Sequence, residues 1–462
     1  MELPLTRRQL FGRLAGGFGS LALAGLLSEQ QARGEGAAAN PLPHFTPRAK
    51  RVIFLFMSGG PSQVDTFDPK PALVKWEGKR LPVLPENTNK LLGMPRPLGN
   101  AFPTPWKFAK HGQSGIDVSE LFPNVAKCVD DLCVLRSMCC DSFFHAQGTL
   151  EMMTGSGLFL RPSVGSWLLY GLGTENANIP GFVVLGDTLG SVDQVKAFGS
   201  AFLPAAYQGT RLVSLKEPIA NLRPQKPLGE QRGQLDLLKQ LNDLHRAQRA
   251  EESKLDARIQ AFELAFRMQT EAAEAFDITK ESQHTSKLYG IDNKTTTDYG
   301  QKCLLARRLV ERGVRYVVVN HRDWDQHGNL KAGHAKNSSE VDKPIAGLLQ
   351  DLKQRGLLDD TLVIWGGEFG RTPNSQGKDG RDHNTAAFSM WLAGGGVKRG
   401  HIHGQSDEFG AYVTAGRIHT HDFHATLLHL MGLDHEKLTY RYSGRDFRLT
   451  DVHGNVVKEC LS

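Results

Sequence analysis

The sequence predicts an α/β fold with a mostly parallel sheet and helices on both of its faces. Two observations support this fold class. Several apolar runs lack polar alternation, which is typical of strands buried on both faces. Helical segments separate several of these runs, as connections between parallel strands require. With 462 residues, 40% of them hydrophobic, the chain is long enough for one large domain of this kind.

Five apolar runs are the predicted strands. The first, Arg51–Met57, leads into a glycine-rich turn at Ser58, and the others are residues 181–185, 314–319, 361–365 and 388–392. Helices are predicted at residues 303–312 and 341–355. Ligand sites of open parallel sheets lie beyond the carboxyl ends of the strands. We therefore expect the polar residues that follow these strands to share one edge of the sheet.

The amino-terminal segment has the features of an export signal. Arg7 and Arg8 precede a weakly apolar run at residues 14–27, and alanines follow at residues 37–39. This order predicts a twin-arginine-type signal peptide at residues 1–39 and export to the periplasm or envelope of a bacterium. A proline-containing linker at residues 40–50 would then precede a single domain at residues 51–455.

Residues 229–285 differ in composition from the rest of the domain. They contain no proline, and leucines such as Leu237 and Leu241 recur at helical spacing. We predict a helical insertion that packs over the sheet. A second apolar stripe is formed by Leu255, Ile259, Phe262 and Phe266. A partner-binding coiled coil is the alternative, although two stripes of this length are short for it.

Charge and cysteine content restrict the partners. The net charge of +6 is spread without a basic stripe, so nucleic acid is not a predicted partner. After signal removal no remaining apolar run is long enough for a membrane span. The six cysteines lack the spacing of a structural zinc site and are predicted as buried thiols, with a disulfide open in an exported protein. The oligomeric state is not predicted.

Two polar segments follow the first and third predicted strands. Gly59 and Gly60 let the backbone approach a ligand, and their N–H groups are predicted to hold an anion, while Asp65 offers a carboxylate. The alternative is a plain turn. Asp323, Asp325 and His327 lie together after the third strand. Carboxylates and imidazoles are ligands for zinc, manganese or iron, the alternative being solvated side chains.

Two further segments follow the fourth predicted strand. Glu368 is a predicted metal ligand, and Arg371 is predicted to clamp a phosphate or sulfate oxygen. The alternative is an ion pair between these two residues that fixes the loop. His383, before the fifth strand, is another predicted ligand. The histidines of the carboxyl-terminal region are expected at the surface, with His403 the best exception among His401, His403, His419, His421 and His424.

These motifs together resemble a known family. The runs FMSGGPSQVDTFDPKP, DWDQHGN, DDTLVIWGGEFGRTP, GRDHN and WLAGGGVKRGHIHG resemble domain-of-unknown-function family 1501, over about residues 45–455. That family belongs to the alkaline-phosphatase-like superfamily, alongside sulfatases and cofactor-independent phosphoglycerate mutases. The resemblance implies an alkaline-phosphatase-like core that binds divalent metal ions: zinc, manganese, calcium or magnesium.

The resemblance also implies roles for individual residues. Asp325 and His327 match the family motif, and Asp323 with His327 has the spacing of an alkaline-phosphatase ligand pair, so the ligating aspartate stays open. Glu368 and His383 occupy metal-ligand positions. His145 falls at the nucleophile position, which in the superfamily holds serine, threonine or a modified cysteine. The aspartate expected directly after the first strand is Ser58 here, and Asp65 is its possible substitute.

The resemblance implies an exported metal-dependent hydrolase that acts on a small-molecule or glycan ester of phosphate or sulfate. The nucleophile stays open between water, His145 and Ser142, and Arg371 would neutralise charge on the transferred group. The alternative is a non-catalytic relative that binds anionic ligands or glycans at the cell envelope. Convergence of Asp325 or Asp323 with His327, Glu368 and His383 around an open coordination position would favour the enzyme.

Overall fold

The computed structural model describes residues 43–82, 99–190, 192–212, 227–248, 263–264, 266–267 and 273–462. The predicted signal peptide at residues 1–39 lies outside this part of the chain, so its presence and the domain boundaries stay predictions. Within the described residues, no helix is both long enough and apolar enough to cross a bilayer.

The central sheet of the described chain contains nine strands. In chain order, β1 to β9 span Arg51–Met57, Leu132–Cys139, Phe182–Leu185, Thr210–Leu212, Tyr316–His321, Thr361–Gly366, Phe388–Ala393, His401–His403 and Ile418–His419. The spatial order is β8-β2-β7-β6-β1-β5-β3-β4, and β9 also pairs with β2. Strand β7 runs antiparallel to both of its neighbours, and the other pairings are parallel. The predicted mostly parallel sheet is confirmed.

Helices connect the strands. In chain order, α1 to α11 span Gln63–Thr66, Ala72–Lys75, His145–Thr154, Val164–Leu172, Gln194–Phe198, Leu228–Gln248, Ala273–Phe276, Gln283–Leu288, Thr297–Glu311, Leu330–Gln354 and Thr420–Leu430. Helix α10 begins well before the predicted residue 341, because the apolar spacing used for the prediction marks only its buried second half, where Val341, Ile345 and Leu349 pack in the core.

The two faces of the sheet are both covered, as the unalternated apolar strands predict. Ile53 and Leu55 of β1 pack in one apolar cluster with residues of α9 and α10. The alternate residues Val52, Phe54 and Phe56 pack in a second cluster with residues of α4 and α11. Because side chains alternate across a strand, each face of β1 contributes to a separate core.

The carboxyl ends of the central strands are level with one another. Met57 of β1 is in register with His321 of β5, and Phe56 is in register with Gly366 of β6. The polar segments that follow these three strands therefore start at one edge. A short antiparallel ribbon, in which Gly370–Arg371 pairs with His383–Asn384, brings the chain back to the same edge.

The predicted insertion contains α6, but its two leucines do not pack over the sheet as predicted. Leu237 is 58% exposed and Leu241 is 51% exposed. Helical spacing alone does not distinguish a stripe that faces the core from one that faces solvent. Of the second predicted stripe, only Phe266 belongs to the described residues, where it is half-buried, and residues 255, 259 and 262 lie outside them.

Candidate metal centre

Four side chains converge at this edge of the sheet. The Nε2 atoms of His327, His145 and His383 lie 2.9, 3.0 and 3.2 Å from a single atom, Oδ1 of Asp325. One ligand atom from each residue lies within 4.8 Å of all the others. The four residues come from positions 145 to 383 of the chain, so it is the fold that brings them together.

Each member of the cluster follows a strand of the sheet. Asp325 and His327 follow β5, and the helix that follows β2 starts at His145. His383 lies in the ribbon, directly opposite Arg371. Strands β2 and β5 both run parallel to β1 in sense, so their following residues meet at the common carboxyl edge.

The outer nitrogen of every imidazole in the cluster has its own acceptor. His145 Nδ1 donates to Glu368 Oε1 at 2.6 Å, and His383 Nδ1 donates to the carbonyl oxygen of Phe143 at 2.5 Å. His327 Nδ1 donates to Gln376 Oε1. When the rings are neutral, as a metal ion would require, these bonds would place each proton on Nδ1 and leave the Nε2 lone pair facing the centre. This is the arrangement of histidines that ligate metal ions.

The interior of the cluster needs positive charge. Three imidazole lone pairs and a carboxylate oxygen at these distances repel unless protons or a metal ion lie among them. His145 Nε2 is buried and makes no hydrogen bond of good geometry within the described structure. Burial lowers the pKa of His145, but the carboxylates of Asp325 and Glu368 outweigh burial and raise that pKa to about 9. The residues present therefore fit a bound cation.

The donor set indicates which cation would fit. Three imidazole nitrogens and one carboxylate oxygen are the ligands of zinc and related transition metals. Calcium and magnesium prefer oxygen ligands. Of the four metals that the sequence suggests, zinc and manganese therefore match the cluster better than calcium and magnesium.

Glu368, a predicted ligand, lies behind the cluster rather than in it. Its side chain is fully buried, and its carboxylate accepts the N–H of Gly59 at 2.9 and 3.1 Å as well as the Nδ1 proton of His145. The Gly59 amide, predicted to hold an external anion, thus holds an internal carboxylate. The role of Glu368 in this structure is to orient and polarise His145.

Arg371 is fully buried and engaged with the protein, so its guanidinium does not face a substrate as predicted. It donates to Asp325 Oδ1 at 2.7 Å, to the Gly60 carbonyl oxygen at 3.0 Å and to the Gly59 carbonyl oxygen. The carbonyl oxygen of Gly60 accepts a hydrogen bond from the Arg371 guanidinium, so this residue binds an internal cation and not the predicted external anion. Arg371 fixes Asp325 against the turn after β1 and is a positioning residue.

Two other predicted ligands lie outside the cluster. Asp65 is fully buried and pairs with Arg381, whose Nε lies 2.7 Å from Asp65 Oδ2. Burial raises the pKa of Asp65, but the charge of Arg381 outweighs it and the pKa is lowered. The side chain of Asp323 is 57% exposed and faces Arg322 at 3.6 Å. Of the two aspartates, Asp325 and not Asp323 lies in the cluster.

Sequence reasoning missed two acceptors of the cluster. Gln376 lies in the loop between the strands of the ribbon, and no pattern marked it. Phe143 contributes only its backbone carbonyl, which carries no sequence signal. Both orient imidazoles, and their roles follow from the path of the chain.

A second group of possible ligands, Asp141, Glu151 and His419, has a different character. His419 Nδ1 accepts the N–H of His421, so its proton lies on Nε2 and faces Asp141 Oδ1 at 3.2 Å. No lone pair is left for a metal ion. The expectation that the late histidines lie at the surface is wrong for His421 and His424, which are buried; His403, the predicted exception, is buried as well, and His401 and His419 are half-buried.

The sequence matches the family described as "Protein of unknown function (DUF1501)" over residues 49–461. The chain belongs to this family, and the resemblance drawn from its motifs is confirmed. A search of curated proteins found no match.

The chain is similar to several solved structures. The PsFucS1 sulfatase from Pseudoalteromonas sp. has 12% identity and a TM-score of 0.35, with 84% of this chain and 69% of that chain covered. The C-terminal periplasmic domain of EcEptC from Escherichia coli, in complex with Zn, has 10% identity and a TM-score of 0.37, with coverages of 87% and 88%. A protein in the alkaline phosphatase superfamily from Vibrio parahaemolyticus has 11% identity and a TM-score of 0.35, with coverages of 86% and 69%.

Proposed function

We propose that this DUF1501 family member is an exported, metal-dependent hydrolase of phosphate or sulfate esters. One observation carries the proposal: three imidazole nitrogens and one carboxylate oxygen meet at the carboxyl edge of the sheet, each imidazole backed by its own acceptor. Three imidazole nitrogens and one carboxylate oxygen at these distances form the donor set of a transition-metal site.

A divalent ion held there would act as a Lewis acid toward an ester oxygen and supply a nucleophile from water at neutral pH. The chain's own residues provide the preorganisation. Arg371 fixes Asp325, Glu368 fixes His145, and the carbonyl of Phe143 fixes His383. His327 has the most exposed side chain among the four ligands, at 39%, so substrate approaches from its side.

His145 acts in this proposal as a ligand, not as the nucleophile suggested by its position in the sequence. Its Nδ1 is committed to Glu368 and its Nε2 faces the cluster. Neither nitrogen is free to attack an ester from outside. Water and Ser142 remain as candidates, and we propose water, because the Ser142 hydroxyl oxygen accepts the N–H of Phe144 and lies outside the ligand set.

The matched pair Asp325→Asn and Asp323→Asn tests the centre. The two aspartates are two residues apart, but only Asp325 belongs to the cluster. We expect the wild-type protein to hold about one transition-metal ion per site and to hydrolyse p-nitrophenyl phosphate or sulfate. Asp325→Asn should lose metal and turnover together, while Asp323→Asn keeps its metal.

The measurements are elemental analysis of the purified protein and hydrolysis rates before and after chelation. A protein that holds no metal in either form contradicts the metal centre. A protein that holds metal in an Asp325-dependent manner but hydrolyses neither ester class supports the alternative, a non-catalytic relative that binds anionic ligands.

Export is the second part of the proposal, and Arg7 with Arg8 supports it. Replacing both arginines by lysine should retain the full-length precursor inside the cell, whereas the unchanged protein should be found outside the cytoplasm. Fractionation with amino-terminal sequencing measures this. Equal export of the two forms contradicts the twin-arginine route.

A further inference from the structure

A cavity of about 380 Å³ lies alongside α3, outside the cluster described above. Gln147, Glu151 and Thr154 line it, and their spacing of four and three residues places them on one face of the helix. Asp141–Phe143, before the helix, line one end, and residues 155–159, after the helix, line the other. The cavity is therefore a groove that follows α3 for about 15 Å, the length of ten helical residues.

The first end of the groove adjoins the candidate metal centre. Phe143 lines the groove and its carbonyl oxygen also accepts the Nδ1 proton of His383. His145 of the cluster is the first residue of α3, and Gln147, which lines the groove, comes two residues later in the same helix. We take Phe143 as the link by which a chain-like substrate with its ester at the cluster would reach this groove.

The far end of the groove contains an arginine that no carboxylate of the described residues contacts directly, although the charge of Asp451 acts on it from farther away. Arg161 lies over the ring of Phe447 at 4.3 Å and near that of Phe159 at 5.7 Å. Within the described structure it makes neither a salt bridge nor a hydrogen bond. Asp451, which also lines the groove, pairs with Arg445. Arg161 is thus held by aromatic rings, with its guanidinium N–H groups available to an anion.

The carboxylates on the groove wall are already engaged. Glu151 is 3% exposed and accepts the N–H groups of Asp141 and Ser142. Asp141 pairs with His419. Phe159, by contrast, is 66% exposed, so an apolar ring stands beside Arg161, which has no direct ion pair in the described part of the chain. An aromatic face next to an arginine suits a ligand that combines an apolar ring face with an anionic group.

We propose that the groove along α3 is a subsite for an anionic oligosaccharide, with Arg161 binding a sulfate or phosphate group distant from the reacting ester and Phe159 stacking on a sugar ring. This rests on the proposed function and deepens it, because it assigns an extended, multiply charged glycan as the substrate class. An isolated monoester would leave the far end of the groove without a ligand.

Calorimetry on the full-length mature protein, stripped of metal, tests the subsite. The probe is a short sulfated dextran oligosaccharide, with unsulfated dextran of the same length as its control. Arg161→Gln should weaken binding of the sulfated probe about 10- to 100-fold, the effect of losing hydrogen bonds to a charged group. Arg211→Gln, at an exposed arginine that pairs with Asp187, is the matched control and should bind as the wild type does. A phosphorylated oligosaccharide then ranks phosphate against sulfate.

Phe159→Ala serves as a second variant, because the ring is exposed and its removal leaves the core intact. It should also weaken binding of the sulfated probe. Equal binding by wild type, Arg161→Gln and Phe159→Ala, or equal binding of unsulfated dextran, overturns the subsite.

Failure of the subsite and failure of the proposed function are distinguishable. Hydrolysis of p-nitrophenyl esters by the metal-loaded wild type without binding of the sulfated probe contradicts only the groove. Binding of the probe that depends on Arg161, in a protein without esterase turnover, contradicts only the hydrolase.

Discussion

The substitution Glu368→Gln tests whether Glu368 orients the ligand His145 or is itself a metal ligand. The carboxylate accepts both the Gly59 N–H and the His145 Nδ1 proton, and it is fully buried. A glutamine of the same shape offers one acceptor oxygen and presents an NH₂ group to one of these two donors. One hydrogen bond to a charged group is lost, which costs about 1.5 to 3 kcal/mol of folding free energy in the metal-free protein.

The same substitution should also lower the affinity of the protein for metal. Without the carboxylate, His145 is less basic and less firmly oriented, and outer-shell changes of this kind weaken metal binding about 10- to 100-fold. That range equals about 1.4 to 2.8 kcal/mol of binding free energy. Competition against a chromophoric chelator at fixed pH measures the affinity, and urea denaturation of the stripped protein measures the folding term separately.

Glu340→Gln is the control for this experiment. Glu340 also contacts a histidine, His321 Nε2 at 3.0 Å, but neither residue belongs to the cluster. We expect its metal affinity to equal that of the wild type. An unchanged affinity in Glu368→Gln would refute the orienting role, and a loss beyond about 10⁴-fold would identify Glu368 as a direct ligand, since it far exceeds outer-shell effects.

Three further predictions concern stability. Asp65→Asn should lower the free energy of unfolding by about 3 to 5 kcal/mol, because Arg381 loses its buried partner. The folded variant should keep its metal. Loss of metal without loss of stability would identify Asp65 as a ligand. His424 is buried, and burial lowers its pKa to about 3, so its contribution to stability is present above pH 6.5 and is lost as pH falls from about 6.5 toward 3. The free energy of unfolding should therefore fall less steeply with decreasing pH in His424→Gln than in His284→Gln, an exposed control. Equal slopes would contradict this. Gly59→Ala should destabilise the fold and weaken metal binding more than Gly78→Ala. Both glycines have positive φ, but of the two only Gly59 has backbone where a Cβ would lie, with Asp325 N at 2.7 Å. Similar effects of the two substitutions in thermal unfolding and chelator competition would refute the steric argument.

The sheet was predictable because it rests on local composition. The apolar run Arg51–Met57 is a strand with the predicted bounds, and the run at residues 388–392 is β7. Its antiparallel direction was not predictable, since direction depends on which neighbours a strand meets. The short strands β4, β8 and β9 carry too few residues for a period-two or apolar signal.

The candidate site was predictable in residue types and less so in roles. Acidic and imidazole groups after strand ends indicated where to look, and Asp325, His327 and His383 lie together there. Whether a carboxylate faces the centre or backs a histidine depends on distances of a few ångström between segments. Glu368 and Arg371 therefore changed roles, because only the packed structure shows that both are buried behind the cluster.

The long sequence separation between His145 and His383 has a consequence for biogenesis. The four residues of the cluster meet only when strands from both halves of the chain have joined one sheet, so binding of the proposed ion would come after tertiary assembly. A bound ion would then cross-link loops that otherwise separate on unfolding. At a free concentration a thousand times its dissociation constant it would add about 4 kcal/mol to the resistance against denaturation. Metal depletion would therefore lower the stability of the fold as well as remove the proposed catalytic ion.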